Sequence, residues 1–168
     1  MKEIDLIKNK ILTLQDLETK LREWSKENKK IVFTNGCFDI IHQGHIDYLA
    51  KAKDLGDKLI IGLNTDLSVS EIKGKNRPIQ DEKSRAIILA SMQFVDAIVY
   101  FSDPTPYELI SSIQPDILVK GGDYKPEEIV GYDIVKQKGG EIKTIEFLEG
   151  YSTTSIENKI IEDYKSKI

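Results

Sequence analysis

Cysteine occurs once, at Cys37, so no intrachain disulfide can form. Histidine occurs twice, and both copies, His42 and His45, fall within four residues. No apolar run approaches the ~18 residues needed to cross a bilayer, so neither a spanning helix nor a membrane partner is expected. The opening stretch MKEIDLIKNKIL lacks the unbroken apolar centre of a signal peptide, which points to the cytoplasm. A basic excess is also missing: 24 Lys and Arg face 28 Asp and Glu, for a net charge of −4. That argues against a dedicated nucleic-acid binder. It leaves room for phosphate binding, because a local cluster of cations can act inside an acidic surface. There is no internal repeat and no low-complexity linker.

The 168 residues suit one domain, large enough to bury a core without disulfides or metals. Short β-branched runs alternate with longer amphipathic stretches. Strands are expected over 31–35, 58–63, 97–101, 116–120 and 141–147. Several are apolar without alternation, as in strands covered on both faces. Helices are expected over about 13–27, where Thr13 and Asp16 form a variant capping box, and over 44–55, 81–92, 104–113, 126–138 and 153–164. Such alternation predicts an α/β open parallel sheet of about five strands with helices on both faces and right-handed crossovers. Residues 1–30 read as an N-terminal helical extension, free to pack on a partner subunit, and 31–168 as the main globular domain. Ligands bind such sheets at the carboxyl ends of the strands.

The segment TNGCFDIIHQGHIDYL, residues 34–49, leaves the first of those strands and enters a helix. Both histidines sit there, around Gly44. A residue without a Cβ lets backbone approach a ligand closely. The following helix N-terminus offers free N–H groups to an anion, and two imidazoles beside it can donate to phosphate oxygens. Two other readings exist. The histidines could merely cap the turn, or they could bind zinc, with only Cys37 and carboxylates left as further ligands. Cys37 itself has no neighbour in sequence that marks it as an activated nucleophile.

The far end carries Glu149-Gly150-Tyr151-Ser152-Thr153-Thr154-Ser155-Ile156, with four hydroxyls in a row before a helical pattern. One hydroxyl suffices for an N-cap. The surplus fits a phosphate cradle at the helix N-terminus. Between these segments lies the basic, Gly- and Pro-broken loop Glu71-Ile72-Lys73-Gly74-Lys75-Asn76-Arg77-Pro78, with Arg85 on the next helix. Residues 119–124, Val-Lys-Gly-Gly-Asp-Tyr, end a strand in a tight turn, and Gly139-Gly140 reads as a helix stop.

His42-Gln43-Gly44-His45 resembles the His-x-Gly-His signature of the cytidylyltransferase-like nucleotidyltransferases, and Ser152-Thr153-Thr154 resembles the Ser-Thr-Thr signature near their C-terminus. Asn35-Gly36-Cys37-Phe38-Asp39 and Lys120-Gly121-Gly122-Asp123-Tyr124 narrow the likeness to the adenylyltransferase domains of bacterial ADP-heptose synthases. The resemblance covers residues 11–161. It implies a Rossmann-like fold and transfer of AMP from ATP to D-glycero-D-manno-heptose 1-phosphate, with release of pyrophosphate. It implies catalytic roles on the phosphates for His42, His45, Lys73 and Arg85. Nucleotide or acceptor contacts are implied for Asn35, Gly36, Cys37, Phe38, Asp39, Gly44, Gly121, Asp123, Ser152, Thr153 and Thr154. Mg²⁺ is expected on the nucleotide phosphates, with no protein ligand named. A homodimer and a separate sugar kinase in the same pathway are further expectations, since no kinase domain accompanies this one. Glycerol-3-phosphate cytidylyltransferase and FMN adenylyltransferase activities are the nearest alternatives within the same superfamily. A non-catalytic nucleotide-binding protein is the alternative outside it.

Overall fold

A computed structural model describes residues 2–122 and 124–167. In chain order the elements are α1 (Glu3–Lys8), β1 (Ile11–Leu12), α2 (Leu14–Lys26), β2 (Ile31–Gly36), α3 (Gln43–Lys53), β3 (Lys58–Asn64), α4 (Asp66–Lys73) and α5 (Glu82–Ala90). There follow β4 (Ala97–Phe101), α6 (Tyr107–Ile113), β5 (Ile117–Gly121), a 3₁₀ turn (Pro126–Glu128), α7 (Tyr132–Gln137), β6 (Glu141–Ile145) and α8 (Thr153–Lys165). The strands form one parallel sheet in the order β1-β4-β3-β2-β5-β6.

The sheet is buried on both faces because its central strands carry apolar side chains at successive positions. Leu59, Ile60, Ile61 and Leu63 of β3 are all sealed from solvent. Each such side chain contributes about 1.5–3 kcal/mol by leaving water. One face packs on Tyr48, Leu49 and Ala52 of α3 and on Ala86, Leu89 and Ala90 of α5. The other packs on Leu17 and Trp24 of α2, Leu109, Ile110 and Ile113 of α6, and Val135 of α7. This is the doubly covered Rossmann-like sheet expected from the alternation, with six strands where about five were expected.

The sixth is β1, which pairs with β4 through Ile11–Ile98 and Leu12–Val99. A two-residue strand has no periodicity to detect. Its segment continues into α2, capped as expected by the Thr13 hydroxyl, which accepts the Asp16 N–H at 3.1 Å. The first thirty residues thus add a strand to the sheet and bury Leu17 and Trp24 in its core.

Other boundaries moved for local reasons. The helix expected over 104–113 starts at Tyr107, because Thr105 precedes Pro106 and is disfavoured in helical geometry. The helix expected over 126–138 is split: Ile129 turns extended and buries, and Gly131 adopts φ +89° before α7. A Cβ on Gly131 would meet Ile110 Cδ1 at 2.8 Å, so the close approach to α6 also needs glycine. The Glu71–Pro78 stretch is helical at its start, since α4 runs to Lys73 and Gly74 stops it at φ +99°.

Candidate active site

The order of the sheet places a topological switch between β2 and β5: the chain proceeds from β2 to β3 and β4 on one side, and β5 and β6 lie on the other. Crevices at such switches, on the carboxyl edge, are the usual ligand sites. The segment after β2 passes over this point. A Cβ on Gly36 would meet the Phe38 ring at 2.9 Å, so glycine lets that ring fold back against the strand end. Phe38 takes a left-handed φ of +46°, a strained setting for a residue with a side chain. The ring is buried and stands edge-on to His45, with centroids 5.4 Å apart at 63°.

His45 in turn stacks on His42, with ring centroids 3.8 Å apart and an interplanar angle of 26°. Burial lowers the affinity of His42 for a proton. Burial, the neighbouring His42 and Lys73 together push His45 down to about 4. Both rings are therefore neutral at pH 7 without a ligand. The Nδ1 atoms of both are buried without a hydrogen-bond partner. Buried polar atoms are rarely left so, and an arriving ligand or water would satisfy them. Gly44 serves this pair: a Cβ there would meet His42 Nδ1 at 3.1 Å and Tyr151 Cβ at 3.2 Å. The missing side chain admits the His42 ring and the loop before α8.

That loop brings the two signature segments together. A cavity of about 300 Å³ is lined by His42, Gly150, Tyr151, Ser152, Ser155, Ile156 and Lys159. It joins the start of α3 to the start of α8. Of the eight α-helices described, these two alone carry no acidic residue in the first turn. An acidic side chain there would compete with an anion for the positive end of the helix. Ser152 caps α8, its hydroxyl accepting the Ser155 N–H at 3.0 Å, while the Ser155 hydroxyl donates to the Ser152 carbonyl at 2.7 Å. Thr153 and Thr154 need not cap, and neither hydroxyl has a partner among the described residues. Ser155 belongs to the expected run of four hydroxyls, whereas Lys159 was absent from the expected site. A helical wheel begun at Ser152 would have put Ser155 and Lys159 along one side.

A larger cavity, about 930 Å³, lies at the amino edge of the sheet, lined by residues such as Lys30, Asp116, Lys138 and Glu141. Two of the lysines that line it are paired, Lys138 with Asp116 at 2.7 Å and Lys30 with Glu141 at 3.4 Å. It lies away from both signature segments.

The remaining expected residues divide by what they touch. Lys73 is exposed at the end of α4 and acts electrostatically on His45 and Cys37. Arg85 is different: it is 0% exposed. Its guanidinium donates to the Cys37 carbonyl at 2.6 Å, the Gln80 carbonyl at 3.0 Å and the Asp66 carboxylate at 2.8 Å. It braces three segments beneath the site and is held by protein on every side. Asp39, 2% exposed, is likewise occupied. Its carboxylate accepts the N–H groups of Ile79 at 2.8 Å and Gln80 at 2.9 Å and the Arg77 guanidinium at 2.8 Å. Burial pushes its pKa up, but those N–H donors and Arg77 more than offset this, and the carboxyl stays below the ordinary value. Arg77 also pairs with Glu157 of α8, so this loop ties the turn after β2 to the last helix.

Burial pushes the Cys37 thiol up, outweighing Lys73, Arg85 and Lys120, so Cys37 is a protonated thiol at neutral pH. Asn35 and Gly121 stand at the ends of β2 and β5. Gly122 takes φ +102° in the expected turn, and a Cβ on Gly121 would meet Phe147 Cζ at 2.6 Å. Phe147, expected in the last strand, leaves the sheet after Ile145 to cover that glycine. Asp123 lies outside the described residues.

Comparison with known proteins agrees with this geometry. Residues 33–159 match the cytidylyltransferase-like family model. The chain is 52% identical over 151 residues to the bifunctional protein HldE of Wolinella succinogenes, covering 90% of this chain and 31% of that protein. It is 53% identical over 146 residues to the bifunctional protein HldE of Nitratiruptor sp., covering 87% of this chain and 31% of that one. The chain thus spans about a third of the length of these curated relatives. Among solved structures, a lipopolysaccharide core biosynthesis protein from Thermoplasma volcanium superposes with a TM-score of 0.59 at 28% identity, over 74% of this chain and 99% of that one. A pantoate–beta-alanine ligase from Francisella tularensis, at 19% identity and a TM-score of 0.57 over 90% of this chain and 77% of that one, shares the fold.

Proposed function

We propose, for a chain that belongs to the cytidylyltransferase-like family, that it transfers AMP from ATP to a sugar 1-phosphate, D-glycero-D-manno-heptose 1-phosphate, and releases pyrophosphate. The observation that carries this reading is the pair of helix N-termini free of acidic first-turn residues, α3 and α8, meeting at one cavity beside two stacked neutral histidines. Such a site fits a polyanion. The about 50% identity to the HldE proteins supports the choice of substrates.

The acceptor's phosphate oxygen is already ionised at neutral pH, so no strong base is required. It attacks the α-phosphorus, a new P–O–P link forms, and the bond from that phosphorus to the bridging oxygen breaks. Pyrophosphate leaves with the bonding pair. Such a transfer asks the protein for positioning and charge stabilisation. His42 and His45 donate to the triphosphate as negative charge grows on the leaving group. Lys73 adds a mobile cation, and the hydroxyls of Thr153 and Thr154 with the α8 N-terminus complete the cradle. Gly36, Cys37, Phe38, Gly44 and Gly121 shape the walls through backbone and close packing, and Asn35 contacts nucleotide or acceptor from the end of β2. Arg85 and Asp39 act as positioning residues, through the Cys37 carbonyl and the 77–80 loop. Mg²⁺, held mainly by the nucleotide phosphates and water, would neutralise phosphate charge in this reading.

A kinase activity is needed to supply the sugar 1-phosphate. A homodimer is also part of this reading, with Ile160, Ile161 and Tyr164 exposed on α8 as apolar contacts. Sedimentation at micromolar concentration tests it, and a single monomeric species opposes it. The activity itself is tested by pyrophosphate release with heptose 1-phosphate, glycerol 3-phosphate and FMN as acceptors.

A further inference from the structure

Side chains in register on parallel strands form rows across a sheet. On the face covered by α2, α6 and α7, one row consists of Phe33, Leu118 and Ile142, joined by the pairings Phe33–Leu118 and Leu118–Ile142. It is part of the apolar core. Two residues further along each strand, the alternation of side chains returns to the same face. The row there is Asn35, Lys120 and Thr144, with Lys120 paired directly to Thr144. Asn35 pairs on its other side with Gly62, which puts no side chain between it and Val99 of β4. An apolar core row therefore gives way in one step to a polar row, and it does so across the β2–β5 switch.

None of these three side chains has a hydrogen bond or ion pair among the described residues. Lys120 is only partly exposed. Its electrostatic neighbourhood holds Cys37, beside which Lys73, Arg85 and Asp39 also stand, the last already held by Arg77. Burial lowers the proton affinity of Lys120. A partly buried ammonium with no ion-pair partner among the described residues is costly, and an anion relieves that cost.

We propose that Asn35, Lys120 and Thr144 hold the phosphoryl group of the acceptor, a sugar phosphate, on the face of the sheet opposite the histidine pair. The inference rests on the transfer reading above and adds where the acceptor sits. The choice of acceptor over nucleotide follows from the stereochemistry. α3, which carries His42 and His45, packs on the other face through Tyr48, Leu49 and Ala52. With the departing pyrophosphate on the α3 side, an in-line nucleophile must arrive from the far side. Lys120 stands there. Its charge also offsets the repulsion between an incoming phosphate monoester and the α-phosphate.

The test is calorimetric titration of protein saturated with α,β-methylene-ATP. Heptose 1-phosphate and, separately, inorganic phosphate are titrated into wild type, Lys120→Gln and Lys120→Arg, with thermal melts of each. Lys120→Gln is expected to weaken both ligands by about tenfold or more, the scale of one charge-assisted hydrogen bond, while Lys120→Arg recovers most of the loss. Affinity for the nucleotide analogue is expected to stay within about twofold in both variants, because one phosphoryl contact alone is removed. Loss of analogue affinity in Lys120→Gln would move the lysine to the nucleotide and overturn the proposal. Unchanged affinity for both probes, or binding of neither to wild type, would also overturn it. The two readings fail separately. Phosphate binding through Lys120 without heptose 1-phosphate binding refutes the sugar assignment and keeps the subsite. Heptose 1-phosphate binding indifferent to Lys120 does the reverse.

Discussion

Three residues separate a chemical role from a supporting one. In the proposed transfer His45 donates to charge that develops on the leaving group, so His45→Ala is expected to lower kcat by about 10²–10³-fold with a much smaller change in nucleotide affinity. Steady-state kinetics beside equilibrium nucleotide binding decide this, and kinetics equal to wild type would remove the histidines from the mechanism. Arg85 is expected to behave differently from an exposed phosphate-binding cation. Arg85→Ala strips donors from the Cys37 and Gln80 carbonyls and from Asp66, and should destabilise the fold by about 2–4 kcal/mol, read by urea unfolding. Lys73→Ala removes an exposed side chain and is expected to lower kcat/KM while leaving the melting temperature nearly unchanged. Equal melting temperatures for Arg85→Ala and wild type would contradict the bracing role. Both are cations in the same stretch of sequence, and nothing in residue type tells them apart. Only the packing of α5 against β3 and β4 turns Arg85 inward.

At the scale of elements, the proposed function divides the hydroxyls of α8 between structure, with Ser152 as the cap, and chemistry. Ser152→Ala should cost about 1 kcal/mol through the lost cap. Thr154→Val leaves that cap intact and is expected to lower kcat/KM with little change in stability. If the two variants showed the same pattern, the division of labour would be wrong. The central strands were legible because apolar runs covered on both faces need no alternation to stand out. β1 was not, since two residues carry no period, and the split before α7 follows from the contact of Gly131 with Ile110, which is tertiary. Much of the site was legible for a different reason: two histidines around a glycine, and hydroxyls in surplus of a cap, are arrangements that packing alone does not require. Asp39 looks like a ligand contact in sequence and is instead the anchor of the 77–80 loop. The N–H groups that it binds lie about forty residues away, beyond any local pattern. Lys159 and the row Asn35–Lys120–Thr144 emerge only when the helix faces and the strand register are known.

At the scale of the whole molecule, proton binding and ligand binding are coupled. An unfolded histidine takes up a proton near 6.5, while His45 in the ligand-free fold resists until about 4. Between those values the unfolded chain binds more protons, so stability falls as pH drops through that window and is fully present above it. Bound triphosphate places negative charge beside the pair and raises its proton affinity, so the acid-side loss should shrink with ATP. Thermal melts from pH 7 to pH 4, with and without ATP, check both statements, and a flat profile for the ligand-free protein would contradict the buried neutral pair. In the proposed function the sheet switch, the two helix N-termini and the polar row all serve one reaction. Its most direct test is pyrophosphate release measured with ATP, CTP, GTP and UTP against heptose 1-phosphate, glycerol 3-phosphate and FMN. The account predicts the highest kcat/KM for ATP with heptose 1-phosphate. A higher kcat/KM for CTP with every active acceptor, or no pyrophosphate from any pair, would contradict it.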